Sequence, residues 1–82
     1  MHEFSVAADL ISLLTEVVQE HELRKVTKVK LVIGTQRMIH AASFQFAFDF
    51  IKKESAFLDE AILDMEKRGG DDFYIEYIEG ES

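Results

Sequence analysis

The fold is decided by residues 26–34, VTKVKLVIG, a strand pattern that closes on a glycine. Aliphatic side chains at 29, 31 and 33 alternate with Lys28 and Lys30, the period of two that separates the two faces of a strand. The pattern predicts a strand over residues 26–33, with aliphatic side chains towards a core and lysines on the other face. Gly34 ends the strand, and residues 35–42 form a connection.

Two amphipathic helices are predicted, one on each side of this strand in the sequence. Before it, apolar residues recur at helical spacing over residues 6–18, with Ser5 as the cap and a gradual end around residues 21–23. After it, a second helix is predicted over residues 43–54. Its apolar side contains Phe44, Phe46, Phe48 and Phe50. Such rings could line a cofactor pocket, but they are more often a core against which a sheet packs.

Two further strands complete the predicted architecture. They cover residues 61–66 and 73–79, and the second is rich in aromatic and β-branched side chains. Between them, Gly69-Gly70 is a strong hairpin signal, and His2 to Phe4 are a candidate for a short edge strand. The order β–α–β–α–β–β predicts an α+β fold with two helices packed on a small mixed sheet of three to four strands.

The composition is that of a small globular chain without cysteine. Of its 82 residues, 48% are apolar and 30% are charged, which is typical of folded sequences. No apolar run approaches the ~20 residues of a membrane span. The N-terminus also lacks the basic and apolar regions of a signal peptide. We therefore expect a single domain over residues 1–82, located in the cytoplasm and with no membrane partner.

The net charge of −7 is carried by residues 53–82, because acidic and basic side chains cancel in residues 1–52. This balance argues against nucleic acid and anionic membranes as partners. The acidic end most simply provides solubility and protects an edge strand from pairing. A basic partner surface or a loose cation site is the alternative, although the acidic residues there lack metal-ligand spacing.

The sequence contains no convincing catalytic constellation. It has no cysteine nucleophile, no serine in a strand-to-helix elbow and no glycine-rich phosphate loop. Its paired carboxylates are scattered along the acidic end, without a context that would tune them for acid–base chemistry. We therefore do not expect an enzyme.

One position, His2, has a specific chemical use. The terminal amine, the His2 backbone nitrogen and its ring nitrogen can close two fused chelate rings, and Glu3 can add a backbone nitrogen or a carboxylate. Deprotonated amide ligands suit Cu(II) or Ni(II) in a square plane. A histidine at a chain end is more often simply solvated, as we expect of His21 after the first helix. His40, before the second helix, is either an exposed loop residue or a further nitrogen donor folded over the N-terminus.

Several blocks of the sequence match one protein family. They are MHEFS at 1–5, the first helix, VKLVIG at 29–34, FAF at 46–48, AILD at 61–64 and GDDFYIEYIE at 70–79. Each block is loose, but their order along nearly the whole chain is specific. In these blocks the chain resembles the hydrogenase/urease nickel-incorporation family HypA/HybF.

The resemblance implies a nickel metallochaperone that delivers Ni(II) during maturation of nickel–iron hydrogenase or urease and catalyses nothing. It assigns the metal site to Met1, His2 and Glu3. Some relatives place an extra oxygen donor near the position of His40, which is therefore included as a fourth candidate ligand. The implied partners are a GTPase maturation partner and either the hydrogenase large-subunit precursor or the urease maturation proteins.

Two departures from the family pattern matter. The family usually carries a zinc module with two CxxC pairs between its last two strands, whereas this chain has only the short turn RGGD at 68–71. The resemblance therefore indicates a module deleted and bridged near residues 67–70, and no zinc is expected. The loop after Gly34 also differs, because it reads TQRMIH where many members have an acidic residue and a Leu-Ser-Gly type turn.

Two alternatives stay open at this point. The chain could be a non-catalytic interaction module that docks a maturation partner through Lys28 and Lys30, or through its acidic end, without binding metal tightly. The shortened connection near residues 67–70 is also a site at which strand exchange between two chains would produce a homodimer.

Overall fold

The computed structural model describes residues 3–82. Its elements are α1 (Glu3–Glu20), β1 (Lys25–Gly34), α2 (Ala41–Ile51), β2 (Ile62–Arg68) and β3 (Phe73–Glu81). Short 3-10 turns lie at Thr35–Arg37, Lys52–Glu54 and Ala56–Leu58. Within residues 3–82, no helix is both long and apolar enough to cross a membrane.

The three strands form a mixed sheet with β1 in the centre. β2 pairs with β1 in parallel, with Val29 opposite Leu63, and β3 pairs with β1 antiparallel, with Val29 opposite Ile78. Both helices pack on one face of this sheet. The prediction of an α+β fold with two helices on a small mixed sheet is therefore confirmed, with three strands.

The predicted hairpin between the last two strands is wrong, because β2 and β3 lie on opposite edges of β1. Their connection, residues 69–72, crosses the end of β1, where the Gly34 N–H donates to the Asp72 carbonyl at 2.6 Å. A Cβ atom on Gly34 would lie 2.7 Å from the Asp72 nitrogen and 2.8 Å from the Asp71 Cα. Glycine at position 34 is thus what allows the two backbones to approach.

The core lies between the helices and the inner face of the sheet. Its fully buried side chains include Leu14 from α1, Leu31 and Ile33 from β1, and Phe44 and Phe48 from α2. The alternation that predicted β1 and the helical spacing that predicted α1 and α2 therefore point to the same buried layer.

The helix boundaries differ from the prediction at both N-termini. α1 begins at Glu3 rather than after a Ser5 cap. Glu3 and Phe4 are helical, so the predicted edge strand is wrong for these two residues, and His2 lies outside the described residues. α2 begins at Ala41, because His40 provides its cap, and residues 52–54 continue as a 3-10 turn.

The outer face of the sheet carries a chain of ion pairs that we term the outer-face network. Its members are Lys28, Lys30, Asp64, Glu66, Arg68 and Glu76. The shortest link joins Arg68 Nε to Glu66 at 2.6 Å, and Arg68 also reaches Glu76 at 3.0 Å. The two lysines of the predicted outward face are therefore already paired with carboxylates from β2.

Candidate metal centre

Two of the four predicted ligands, Glu3 and His40, lie side by side. Glu3 is the first residue of α1, and His40 immediately precedes α2. The His40 backbone N–H donates to Glu3 Oε2 at 3.3 Å. Met1 and His2 lie outside the described residues, so their predicted role as ligands stays a prediction.

His40 is fixed in place by its role as the N-cap of α2. Its backbone is extended, and its ring Nδ1 accepts the Ser43 backbone N–H at 3.3 Å, as a capping side chain does. The Ser43 hydroxyl lies 3.0 Å from the same ring nitrogen. Ile39, just before it, is only 3% exposed and anchors the segment in the core. The His40 ring itself stays at the surface.

The Glu3 carboxylate is held in its ionised form by backbone groups. Hydrogen bonds from its own N–H and from the His40 N–H hold the Glu3 pKa below its usual value. These donors belong to the starts of α1 and α2, where the helix dipoles are positive and stabilise an anion. A full negative charge is therefore available at this surface, stabilised without a neighbouring cation.

The position of the Ser43 hydroxyl decides whether the His40 ring can bind a metal. A neutral imidazole that accepts the Ser43 N–H at Nδ1 carries its proton on Nε2 and has no lone pair to offer there. Ligation through Nε2 requires the proton to move to Nδ1, where the Ser43 hydroxyl oxygen can accept it. Such a partner is what commonly orients a ligating histidine. His40 can therefore become a ligand by exchanging one Ser43 contact for another.

An aromatic patch adjoins this pair of residues. Phe4, next to Glu3, makes edge-to-face contacts with Phe46 and Phe50, which stack on each other along α2. These rings are 47%, 64% and 57% exposed, respectively. The prediction that the phenylalanines of α2 form core is thus right for Phe44 and Phe48 and wrong for Phe46 and Phe50.

Sequence reasoning overlooked Ser43 and Phe4 as neighbours of the centre. Ser43 follows His40 by three residues, which is the spacing of a capping contact, so its role could have been found. The position of Phe4 could not, because it depends on α1 beginning at Glu3. Within residues 3–82, no group of three or more His, Asp or Glu side chains could hold a metal ion. A complete centre therefore needs donors from outside the described part of the chain.

Comparison with known proteins identifies relatives across most of the sequence. A family described as hydrogenase/urease nickel incorporation, metallochaperone, HypA matches residues 1–72. The hydrogenase maturation factor HypA of Caldanaerobacter subterraneus is 38% identical over 55 residues, which cover 67% of this chain and 48% of that protein. The hydrogenase/urease maturation factor HypA of Helicobacter pylori is 34% identical over 65 residues, which cover 79% of this chain and 56% of that protein.

Solved structures agree on the fold. The solution structure of the Ni metallochaperone HypA from Helicobacter pylori superposes with a TM-score of 0.85 at 21% identity, covering 100% of this chain and 99% of that one. A second HypA solution structure gives a TM-score of 0.70 at 27% identity, covering 94% of this chain and 71% of the other. At these identities the likeness supports the architecture rather than a role for any residue.

The fold and these matches define a class of protein: maturation factors that handle metal for another enzyme and are not themselves catalysts. Within that class, the chain belongs to the HypA family of hydrogenase and urease nickel incorporation. The chain spans about half the length of the curated relatives it matches.

Proposed function

We propose that this chain binds Ni(II) at its N-terminus through the Met1 amine, His2 and Glu3, with His40 as a further donor. The ion is cargo for nickel–iron hydrogenase or urease, and residues 1–82 act as one nickel-binding domain. The observation that carries the proposal is the contact between Glu3 and His40. It unites two proposed ligands that lie 37 positions apart in the sequence.

The start of α1 suits ligation by backbone nitrogen. The first N–H groups of a helix have no partner within that helix, so the Glu3 amide can lose its proton to a metal without breaking a helical hydrogen bond. A cation at this positive helix end is unfavourable by itself, and the ionised Glu3 carboxylate offsets that cost. Amine, imidazole and deprotonated amide nitrogens together favour a square-planar ion such as Ni(II).

The same location suits release of the ion. Delivery requires the acceptor's ligands to replace those of the carrier, which an open site permits and a closed tetrahedral cage does not. The His40 ring is exposed and Glu3 is half-buried at the same surface. We further propose that the chain carries no zinc module, because it has no cysteine to supply thiolate ligands. Its partners are then the GTPase of nickel delivery and the enzyme under maturation.

Calorimetric titration with Ni(II) tests the proposal. The chain beginning at Met1 is compared with His2→Ala and with the matched control His21→Ala, which removes an exposed imidazole just beyond α1. We expect one equivalent of nickel to bind to the unaltered chain and to the control, and this binding to be lost in His2→Ala. Equal binding by His2→Ala would contradict an N-terminal site.

A second candidate function is a protein-interaction module, favoured by the exposed Phe4, Phe46 and Phe50 beside Glu3. Lys28 and Lys30 support it less, because carboxylates of β2 already pair with them. Its partner would be the maturation GTPase. This function predicts that Phe46→Ser with Phe50→Ser abolishes capture of the purified GTPase while His2→Ala does not, and that the unaltered chain binds no nickel.

A further inference from the structure

Lys67 contacts the segment that carries His40. It lies near the end of β2 and follows the alternation that directs Leu63 and Met65 towards the helices rather than towards the outer-face network. Its Nζ atom donates to the Ile39 carbonyl at 3.0 Å. None of the ion pairs within residues 3–82 includes Lys67, which distinguishes it from Lys28 and Lys30.

The Ile39 carbonyl and the His40 N–H belong to the same planar peptide group. Lys67 donates to the oxygen of this group, and Glu3 accepts from its N–H at 3.3 Å. One peptide group therefore lies between a cation and an anion, each hydrogen-bonded to the end that matches its charge. Hydrogen bonds arranged in series polarise and strengthen one another.

This peptide group needs such support because it lies between elements. Met38, just before it, has a left-handed backbone with φ of 57° and ψ of 34°, and α2 begins only after His40. Neither strand nor helix bonds the peptide group on both sides. The buried Ile39 side chain fixes its position, and the bonds from Lys67 and to Glu3 fix the direction in which the group points.

We propose that Lys67 is a positioning residue of the metal centre, acting through the Ile39–His40 peptide group to orient the Glu3 carboxylate and the His40 ring. The inference rests on the proposed nickel function. Lys67 touches neither ligand side chain, and its charge orders both through one rigid group. Removal of partners that orient metal ligands typically costs about 10- to 100-fold in metal affinity.

The test compares Lys67→Met, which keeps the aliphatic stem and removes the donor, with Lys53→Met, which makes the same change of charge at an exposed site. We expect Lys67→Met to weaken Ni(II) binding about tenfold and Lys53→Met to leave it unchanged. Lys67→Arg, which retains a donor, restores most of the affinity. In a Glu3→Gln background, Lys67→Met has no further effect, because the group it orients is gone.

A readout without metal separates positioning from general loss of structure. Weakening the hydrogen bond to Glu3 shifts the His40 backbone amide proton upfield in the NMR spectrum of Lys67→Met, while the core methyl resonances stay in place. Nickel binding by the unaltered chain together with equal affinities of Lys67→Met and Lys53→Met overturns the assignment of Lys67 alone. Failure of the unaltered chain to bind nickel overturns the proposed function and this inference together.

Discussion

Glu3 and Glu66 are both half-buried carboxylates, but they lie in opposite settings. Glu66 meets a cation on each oxygen, Arg68 Nε at 2.6 Å and Lys30 Nζ at 3.3 Å. The Glu3 carboxylate instead accepts backbone N–H groups, its own and that of His40. Both pKa values lie below the usual range, that of Glu66 because of Arg68 first and Lys30 second.

The difference shows that a lowered carboxyl pKa can arise with or without neutralisation. The charge of Glu66 is cancelled by its neighbours, so a metal ion would have to displace Arg68 and Lys30 to reach it. Backbone dipoles stabilise the anion at Glu3 but carry no net charge. Its attraction for a cation is therefore retained, and only the Glu3 region has the electrostatics of an open binding site.

The largest expected effect concerns Gly34, where β1 leaves the outer-face network and begins the loop to His40. Gly34→Ala places a Cβ atom against the backbone of residues 70–72. We expect a loss of about 1–3 kcal/mol in the free energy of unfolding, the usual cost of overpacking. Urea denaturation measures it.

Gly69→Ala is the matched control, because no atom lies within 4 Å of the added Cβ and the backbone is not left-handed. Its unfolding midpoint should stay near that of the unaltered chain. An equal loss in both variants would show that the crossing of residues 69–72 over β1 does not require glycine at position 34.

The comparison of the two carboxylates can be broken directly by removing each charge. Glu3→Gln is expected to weaken Ni(II) binding by about tenfold or more, because a neutral amide oxygen is a poorer ligand than a carboxylate. Glu66→Gln should leave nickel affinity unchanged while it lowers stability through the loss of its ion pairs. Calorimetry on both variants decides, and equal nickel affinities for the two would refute the distinction.

The smallest expected effect is a difference in salt dependence. Because the folded-state pKa of each carboxyl lies below its unfolded value, each stabilises the fold above the ordinary carboxyl range, and this stability is lost as the pH falls through the lowered value. At 0.5 M salt the Debye length is only roughly 4 Å, which screens Arg68 and Lys30. Carbon-13 NMR titration should show the Glu66 pKa rising with salt more than that of Glu3.

Most of the elements could be predicted from the sequence, because each has one apolar side. Alternation over residues 26–33 and helical spacing over residues 6–18 depend only on local geometry. The pairing of β2 and β3 could not be predicted in this way. Gly69-Gly70 indicates a turn, but a turn can lead to the neighbouring position or across β1. The close approach at Gly34 selects the second outcome, and that contact is not local.

The candidate site could be predicted only in part. The chelate at His2 follows from the chemistry of a chain end, and the resemblance added Glu3 and His40. The sequence gave no indication that one peptide group joins Lys67 to Glu3, because that link depends on the end of β2 lying beside residues 38–40. The exposure of Phe46 and Phe50 was missed for a related reason, since a short helix rich in phenylalanine has more apolar surface than one sheet face can cover.

The central claim is that nickel is held by the terminal amine and backbone nitrogens next to Glu3. The most direct measurement is the absorption spectrum of the Ni(II)-loaded chain starting at Met1, compared with a variant carrying one added glycine before Met1. The extension removes the amine from its chelate ring and leaves every side chain unchanged. We predict a yellow, square-planar spectrum for the unextended chain and its loss on extension. The same spectrum in both would contradict the claim.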